Sequence, residues 1–230
     1  MLGAAIAGGI IGALLTAALL FFALPNLLSS RIVRQGLLAD PKILSDAVDA
    51  LRDAQYEPVL SAQRAAIETP FGSSWKGAVK PEVTLVEFFD YACPYCKASN
   101  PSVDRLLAED KGLRVVYREL PILGPDSVVS ARLSLEASQA GRFTKFHDTL
   151  WATGRPSPET NAAAAQAAGI APQPKDDPAI EAELKRNFQL AGQLGATGTP
   201  LFVIGNRVMN GAVGYDALKQ AIEAARKRSS

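Results

Sequence analysis

The sequence contains only two cysteines, and they are separated by two residues directly after a short apolar run. That run, Val83 to Phe89 (VTLVEFF), is rich in β-branched and aromatic residues, which is typical of a buried strand. Cysteines this close together cannot form a framework of structural disulfides, and two are too few for a closed zinc site. The pair Cys93 and Cys96 therefore indicates redox chemistry at the end of a strand.

The pattern after the cysteines predicts an α/β fold. Apolar residues at helical spacing predict a helix that runs to about Glu109, and Leu113 to Leu120 has the composition of a second strand. A strand, a helix and a second strand imply parallel pairing through a crossover connection. Helical patterning from about residue 125 to 195 predicts an inserted helical domain. A predicted hairpin and a last helix complete the chain: Leu201 to Ile204, Arg207 to Met209, and Tyr215 to Arg226.

The N-terminus is apolar enough to cross a membrane. Leu2 to Leu24 contains no charged residue and slightly exceeds the roughly 20 residues that a spanning helix needs. No basic residue precedes this run, so we expect residues 1–28 to form an uncleaved transmembrane anchor; a cleaved signal is the alternative. Arg31 and Arg34 would by themselves place the following chain in the cytoplasm. Because a dithiol that exchanges disulfides belongs in an oxidising compartment, we expect it instead to face the periplasm or the cell exterior from a bacterial inner membrane. A cytoplasm-facing domain is the other possibility.

Residues 29–70 are predicted to form a helical extension. Asp40-Pro41 is a plausible helix start, and a narrow apolar stripe follows it at helical spacing. The stripe consists of Ile43, Leu44, Ala47, Val48 and Leu51. It can pack on the main domain, or it can pair with copies of itself and make the protein a homo-oligomer. Thr69 to Pro81 has no sustained periodicity and is predicted to be a linker or entry loop.

The two thiols are suited to disulfide exchange. Cys93 is predicted to lie at the start of a helix, where unsatisfied backbone N–H groups stabilise a thiolate, the attacking species and the better leaving group. Cys96, one turn further, would resolve the mixed disulfide from within. Metal binding would require two further ligands, and the only histidine, His147, lies among apolar residues at helical spacing that favour a core position. Two incidental buried cysteines on a helix remain the plain structural alternative.

Thr199-Pro200 immediately precedes the predicted strand Leu201 to Ile204. Proline at the first position of a strand removes one ladder donor without interrupting the sheet. We predict that this peptide bond is cis, which would expose the backbone of Thr199 for pairing with an extended substrate; a trans proline in a loop is the alternative.

These motifs together resemble one family. The segment Val86 to Cys96 (VEFFDYACPYC), the helical insertion, and Gly198-Thr199-Pro200 before a hairpin are similar to the DsbA-like disulfide oxidoreductases, over roughly residues 80–228. The resemblance implies a thioredoxin fold in residues 71–230, a nucleophile at Cys93, a resolving cysteine at Cys96 and a cis-proline at Pro200. The pattern is closest to the ScsC-type copper-sensitivity suppressor proteins, some of which oligomerise through such an extension and act as isomerases.

The resemblance also implies roles for neighbouring residues. Glu87 is expected to point inward and move protons to and from the buried thiol, since the family places an acid there; strand alternation could instead turn it to solvent. Tyr95 and Pro94 are expected to contact substrate beside Thr199 and Pro200. Tyr91 and Tyr95 both flank the cysteines, and each can offer apolar surface to a client or serve packing.

We therefore predict a thiol-disulfide oxidoreductase or isomerase for unfolded or misoxidised proteins, without organic cofactor or metal. Its redox partner would be a membrane protein, either a DsbB-like oxidase or a DsbD-like reductase, and the sequence does not fix the direction. The 24 basic and 23 acidic residues give a formal charge of +1, so nucleic acid is not an expected partner. A copper-binding or chaperone-like thiol module without turnover is the alternative.

Overall fold

The computed structural model describes residues 24–229, and side chains are described from residue 32 to residue 228. Most of the predicted anchor at residues 1–28 therefore lies outside the described residues. Between residues 24 and 229, no helix combines the length and the apolar character that crossing a bilayer requires.

The chain divides into two compact units at Leu51 and Arg52. In the first unit, helix α1 (Leu24–Ala39) includes the start of the predicted helical extension at residues 29–70. Helix α2 (Lys42–Glu68) starts in this unit, and the Lys42 amide donates to the Asp40 carboxylate at 3.1 Å, so Asp40 caps the helix as predicted. The large apolar residues of the predicted stripe are exposed, at 40 to 61%. They are Ile43, Leu44, Val48 and Leu51.

The second unit contains a five-stranded sheet in the order β1-β3-β2-β4-β5. Strand β2 pairs in parallel with β3, and the remaining pairs are antiparallel. The strands are β1 (Trp75–Gly77), β2 (Val83–Phe89), β3 (Leu113–Glu119), β4 (Leu201–Ile204) and β5 (Arg207–Asn210). The predicted parallel crossover and the predicted hairpin are therefore confirmed, and the chain has the predicted α/β thioredoxin fold.

Six further helices surround this sheet. Helix α3 connects β2 to β3, four helices lie between β3 and β4, and the last helix follows the hairpin. They are α3 (Pro94–Glu109), α4 (Pro125–Gln139), α5 (Phe143–Thr153), α6 (Pro158–Ala168), α7 (Pro178–Gln193) and α8 (Gly214–Ser229).

Both faces of the central strand β2 are buried, but against different elements. Leu85 and Phe89 belong to the larger core, which also holds both cysteines and residues of α3 and α8. Val86 and Phe88 belong to a second core, formed with the end of α2 and with α7. Because side chains alternate along a strand, this assignment places Glu87 on the face that holds the cysteines.

The segment Thr69 to Pro81, which was predicted to be a linker, contains an edge strand. Trp75, Lys76 and Gly77 form β1, which pairs antiparallel with β3. Three residues are too few for alternation to be visible in a sequence, and the neighbouring glycine and proline residues hid the strand.

Candidate active site

Cys93 lies where β2 leads into α3. It is the N-cap residue of α3, with φ −81° and ψ 119°, and Pro94 occupies the first turn, where its missing N–H costs nothing. The Cys93 amide donates to the Asp90 carbonyl at 2.9 Å. Its thiol, in a residue only 4% exposed, donates to the Thr199 carbonyl, with 3.2 Å between sulfur and oxygen. The sulfur therefore lies between the start of a helix and the loop before β4.

Cys96 lies one helical turn further and is completely buried. Burial raises the pKa of its thiol strongly, and the charge of Glu87 raises it further. Both cysteines carry free thiols. In this environment Cys96 holds its proton until a nearby group accepts it.

Glu87 is the nearby acid. It faces inward as predicted, is 1% exposed, and lies between Tyr117 of β3 and Phe202 of β4 in the sheet register. Neither carboxyl oxygen has a hydrogen-bond partner. Its pKa is raised from 4.5 to about 8, chiefly by burial and then by the charge of Asp104, while Lys76 acts to lower it. A carboxyl group with this pKa can both accept and release a proton near neutral pH.

The peptide bond between Thr199 and Pro200 is cis, as predicted. Thr199 is 9% exposed, so its carbonyl reaches Cys93 from a largely buried position. The Pro200 carbonyl accepts a hydrogen bond from the Gly211 amide at 2.8 Å, which ties this loop to the end of the hairpin.

An exposed apolar rim lies beside the cysteine turn. Pro94 and Tyr95 are exposed, Tyr95 at 64%, and Ile122 and Leu123 on the loop after β3 are each 43% exposed. The Asp90 carboxylate holds this loop beside the cysteine turn, because it accepts hydrogen bonds from the amides of Ile122 at 2.8 Å and Leu123 at 2.9 Å.

Sequence reasoning missed Asp90 and the two loop residues that it holds. The only available signal was an acidic residue between a strand and a cysteine, and a sequence does not reveal which distant amides such a residue accepts from. The side chain is 1% exposed and also accepts from the Ala92 amide at 2.7 Å. Asp90 is therefore part of the scaffold of the site.

Tyr91 is not part of the exposed rim. It is 3% exposed, and its hydroxyl lies 3.0 Å from both the Ser134 hydroxyl and His147 Nδ1. Trp151 Nε1, which can only donate, lies 3.2 Å from His147 Nε2. His147 Nδ1 must then carry the proton and donate to Tyr91. Burial holds the pKa of His147 well below its usual range, so the predicted core role of this neutral histidine is confirmed.

Among the described residues, no group of three or more His, Cys, Asp or Glu side chains is arranged to hold a metal ion. The arrangement of Cys93, Cys96 and Glu87 instead combines a sulfur at a helix start, a second sulfur behind it and a proton acceptor. These are the parts that thiol-disulfide exchange requires.

Comparison with known proteins agrees with this geometry. A family model described as DSBA-like thioredoxin domain matches residues 84–223. A thioredoxin-like oxidoreductase from Silicibacter pomeroyi DSS-3 is 33% identical, with a TM-score of 0.65 and a match over 71% of this chain and 98% of that one. A periplasmic thioredoxin-like protein from Salmonella enterica serovar Typhimurium is 30% identical, with a TM-score of 0.65. The match covers 71% of this chain and 95% of the Salmonella chain. ScsC from Proteus mirabilis, in a transitional conformation, is 26% identical, with a TM-score of 0.69. The match covers 90% of this chain and 99% of the ScsC chain.

Longer curated proteins also match. The Na(+)/H(+) antiporter NhaA 1 of Salinispora arenicola (strain CNS-205) is 30% identical over 169 residues, which are 65% of this chain and 24% of the antiporter. This chain spans no more than about a quarter of the length of the curated relatives that it matches.

Proposed function

Since the chain belongs to the DSBA-like thioredoxin domain family, we propose that it is an enzyme that forms or isomerises disulfides in extracytoplasmic proteins through Cys93 and Cys96. One observation carries the proposal: the Cys93 thiol lies 3.2 Å from the Thr199 carbonyl at the start of α3, with Cys96 buried behind it.

In the oxidising direction, the reaction begins with a disulfide between Cys93 and Cys96. A client thiolate attacks the sulfur of Cys93, the bond between the two enzyme sulfurs breaks, and Cys96 leaves and takes a proton from the Glu87 carboxyl. A second client thiolate then attacks the client sulfur of the mixed disulfide. The client gains a disulfide, Cys93 leaves as a thiolate, and the enzyme is reduced by two electrons.

In the reducing or isomerising direction, the Cys93 thiolate attacks a client disulfide, whose sulfur–sulfur bond breaks to leave a mixed disulfide with Cys93 and one client thiolate. In isomerisation, a client thiolate then displaces Cys93 as a different client disulfide forms. In reduction, Cys96 instead gives its proton to the Glu87 carboxylate while its sulfur attacks Cys93. The bond between Cys93 and the client breaks, and the client thiolate leaves. The direction in the cell depends on the membrane partner, a DsbB-like oxidase or a DsbD-like reductase.

Clients would bind across the exposed rim. An extended client segment would lie along the backbone of Thr199 and Pro200, and its apolar side chains would contact Pro94 and Tyr95. The exposure of Tyr95, 64%, supports this role, because a large aromatic ring gains the most from being covered by an unfolded client.

The location and the assembly are part of the same proposal. Residues 1–28 would anchor the protein in a bacterial inner membrane with the catalytic unit on the periplasmic or outer side. The similarity to a periplasmic thioredoxin-like protein from Salmonella supports this side. The exposed stripe of Leu44 and Val48 would pair with other copies. Light scattering of the full chain in detergent tests the assembly, since Leu44→Glu with Val48→Glu should reduce the mass of any oligomer.

The activity itself is tested with insulin reduction and with refolding of a scrambled disulfide protein. The wild-type chain should accelerate both reactions, and Cys93→Ser should abolish the acceleration while Glu57→Gln, a change at an exposed position, should not. Equal activity of Cys93→Ser and wild type would remove the enzyme proposal. In that case, binding of Cu(I) or of unfolded clients without turnover would be the function to measure.

A further inference from the structure

Three polar residues form a row across the sheet, on the face that holds the cysteines. Lys76 comes from the edge strand β1, opposite Val115 of the larger core. Tyr117 of β3 is the next member, and Glu87 of β2 is directly opposite Tyr117 in the parallel register. The row therefore leads from the edge of the sheet to the acid beside Cys96.

The outer end of the row reaches solvent. The Lys76 ammonium lies 5.7 Å from the centre of the Tyr117 ring and forms an ion pair with Asp148 of α5 at 2.5 Å. The Lys76 side chain is 16% exposed, whereas that of Asp148 is 56% exposed. Lys76 is therefore a largely desolvated cation, and its field is screened less than that of an exposed lysine.

Several charged or titratable groups act on Glu87. From α3, Asp104 raises its pKa, and the Cys96 thiol shares the same buried region. From β3, Tyr117 contributes a neutral phenol, since burial keeps the pKa of this hydroxyl well above its usual value. From β1, Lys76 lowers the pKa of Glu87, whereas burial and Asp104 raise it. Strand β4 presents Phe202, which carries no charge.

We propose that Lys76 is a positioning residue for disulfide exchange, one that stabilises the Glu87 carboxylate across the Tyr117 ring. The inference rests on the proposed function, in which Cys96 gives its proton to this carboxylate while its sulfur attacks Cys93 and releases the client thiolate. Without the cation, Glu87 would hold its own proton more tightly and would accept fewer protons from Cys96 at a given pH. Lys76 therefore lowers the pH at which the buried cysteine can resolve a mixed disulfide.

The test titrates Glu87 directly. Carbon NMR of the full chain labelled with 13C-glutamate follows its carboxyl signal, which Glu87→Gln identifies by its absence. Lys76→Met should move the midpoint upward by roughly 0.5 to 1 pH unit, and Lys76→Arg should restore it. Lys80→Met, which removes an exposed cation from the loop after β1, should leave the midpoint in place.

The kinetic part of the test follows resolution of a mixed disulfide at Cys93 as a function of pH. The inflection of the resolution rate against pH should move to higher pH in Lys76→Met and return to the wild-type pH in Lys76→Arg. An unchanged Glu87 midpoint in Lys76→Met would overturn the inference, even if the enzyme turns over. A wild-type chain without Cys93-dependent turnover would overturn the proposed function instead, whatever the NMR titration gives.

Discussion

The thiol of Cys93 donates to the carbonyl oxygen of Thr199 at 3.2 Å, across a gap of more than one hundred residues in sequence. This contact joins the start of α3 to the loop before β4. A client that lies along the Thr199 backbone would therefore meet the sulfur of Cys93. Cys96, which is completely buried, would be shielded from it.

We predict that the two cysteines differ in reactivity. In the reduced protein, iodoacetamide should alkylate Cys93 on the order of ten times faster than Cys96, because the buried Cys96 thiol holds its proton strongly. Cys96→Ser should accumulate a mixed disulfide with an oxidised client, because the Cys93 thiolate attacks the client disulfide and no second enzyme thiol resolves the product. Peptide mass spectrometry measures both results. Urea-unfolded protein is the control, in which the two cysteines should react at similar rates; equal rates in the folded protein would contradict the prediction.

A second prediction concerns stability as a function of pH. Below pH 4.5, Glu87 is protonated in both the folded and the unfolded chain. As the pH rises from 4.5 to about 8, the unfolded chain releases this proton and the folded chain keeps it, so the free energy of unfolding falls. The loss is about 1.4 kcal/mol for each pH unit within this window. Glu87→Gln removes the loss, and it should be roughly 2 to 4 kcal/mol more stable than the wild type at pH 7.

Urea unfolding at pH values from 4 to 8 measures this effect. The difference between Glu87→Gln and the wild type should grow with pH, whereas Glu57→Gln, at an exposed position, should track the wild type throughout. A difference that is the same at pH 4 and pH 8 would rule out the titration of Glu87 as its cause.

Much of this site could be predicted from sequence because its signals are local. The apolar run from Val83 to Phe89 predicts a strand, and the cysteines that follow place two thiols at its end. A proline at the first position of a later predicted strand indicated the cis bond between Thr199 and Pro200. The inward orientation of Glu87 followed from the resemblance, because a fully buried strand has no polar side by which alternation could orient it.

What sequence could not supply is long-range pairing. Strand β1 is three residues long and owes its existence to β3, so the position of Lys76 was not predictable. The hydrogen bonds from Ile122 and Leu123 to Asp90 join residues more than thirty positions apart. The predicted anchor at residues 1–28 falls mostly outside the described residues and stays a prediction.

Asp90 provides a third prediction. Its carboxylate accepts from three backbone amides, and replacement by alanine would leave those buried or partly buried N–H groups unpaired. Asp90→Ala should therefore lower the free energy of unfolding by roughly 2 to 4 kcal/mol and loosen the loop that carries Ile122 and Leu123. Hydrogen exchange at these two amides, combined with urea unfolding, measures both effects. Asp176→Asn, at an exposed position, is the control; unchanged exchange at Ile122 in Asp90→Ala would show that the carboxylate does not hold the loop.

The fourth prediction concerns a buried ion pair on the opposite face of the sheet. Arg118 is 2% exposed, forms a 2.5 Å ion pair with Glu183, and donates to the Ile67 carbonyl near the end of α2 at 3.1 Å. Arg118→Met would leave the buried Glu183 carboxylate with Arg186, an exposed side chain 3.5 Å away, as its only cationic partner among the described residues, and we expect a loss of about 3 to 5 kcal/mol in the free energy of unfolding.

Two further variants separate charge burial from packing. Arg118→Met with Glu183→Leu should recover at least half of the loss, because the double change also removes the buried carboxylate that Arg118 no longer compensates. Arg105→Met breaks an exposed ion pair with Glu109 and should change stability little. A double variant as unstable as Arg118→Met alone would mean that the bonds from Arg118 to the end of α2, rather than the ion pair, hold this face together. Urea unfolding of the three variants distinguishes these results, because the two causes differ only in whether removing Glu183 restores stability.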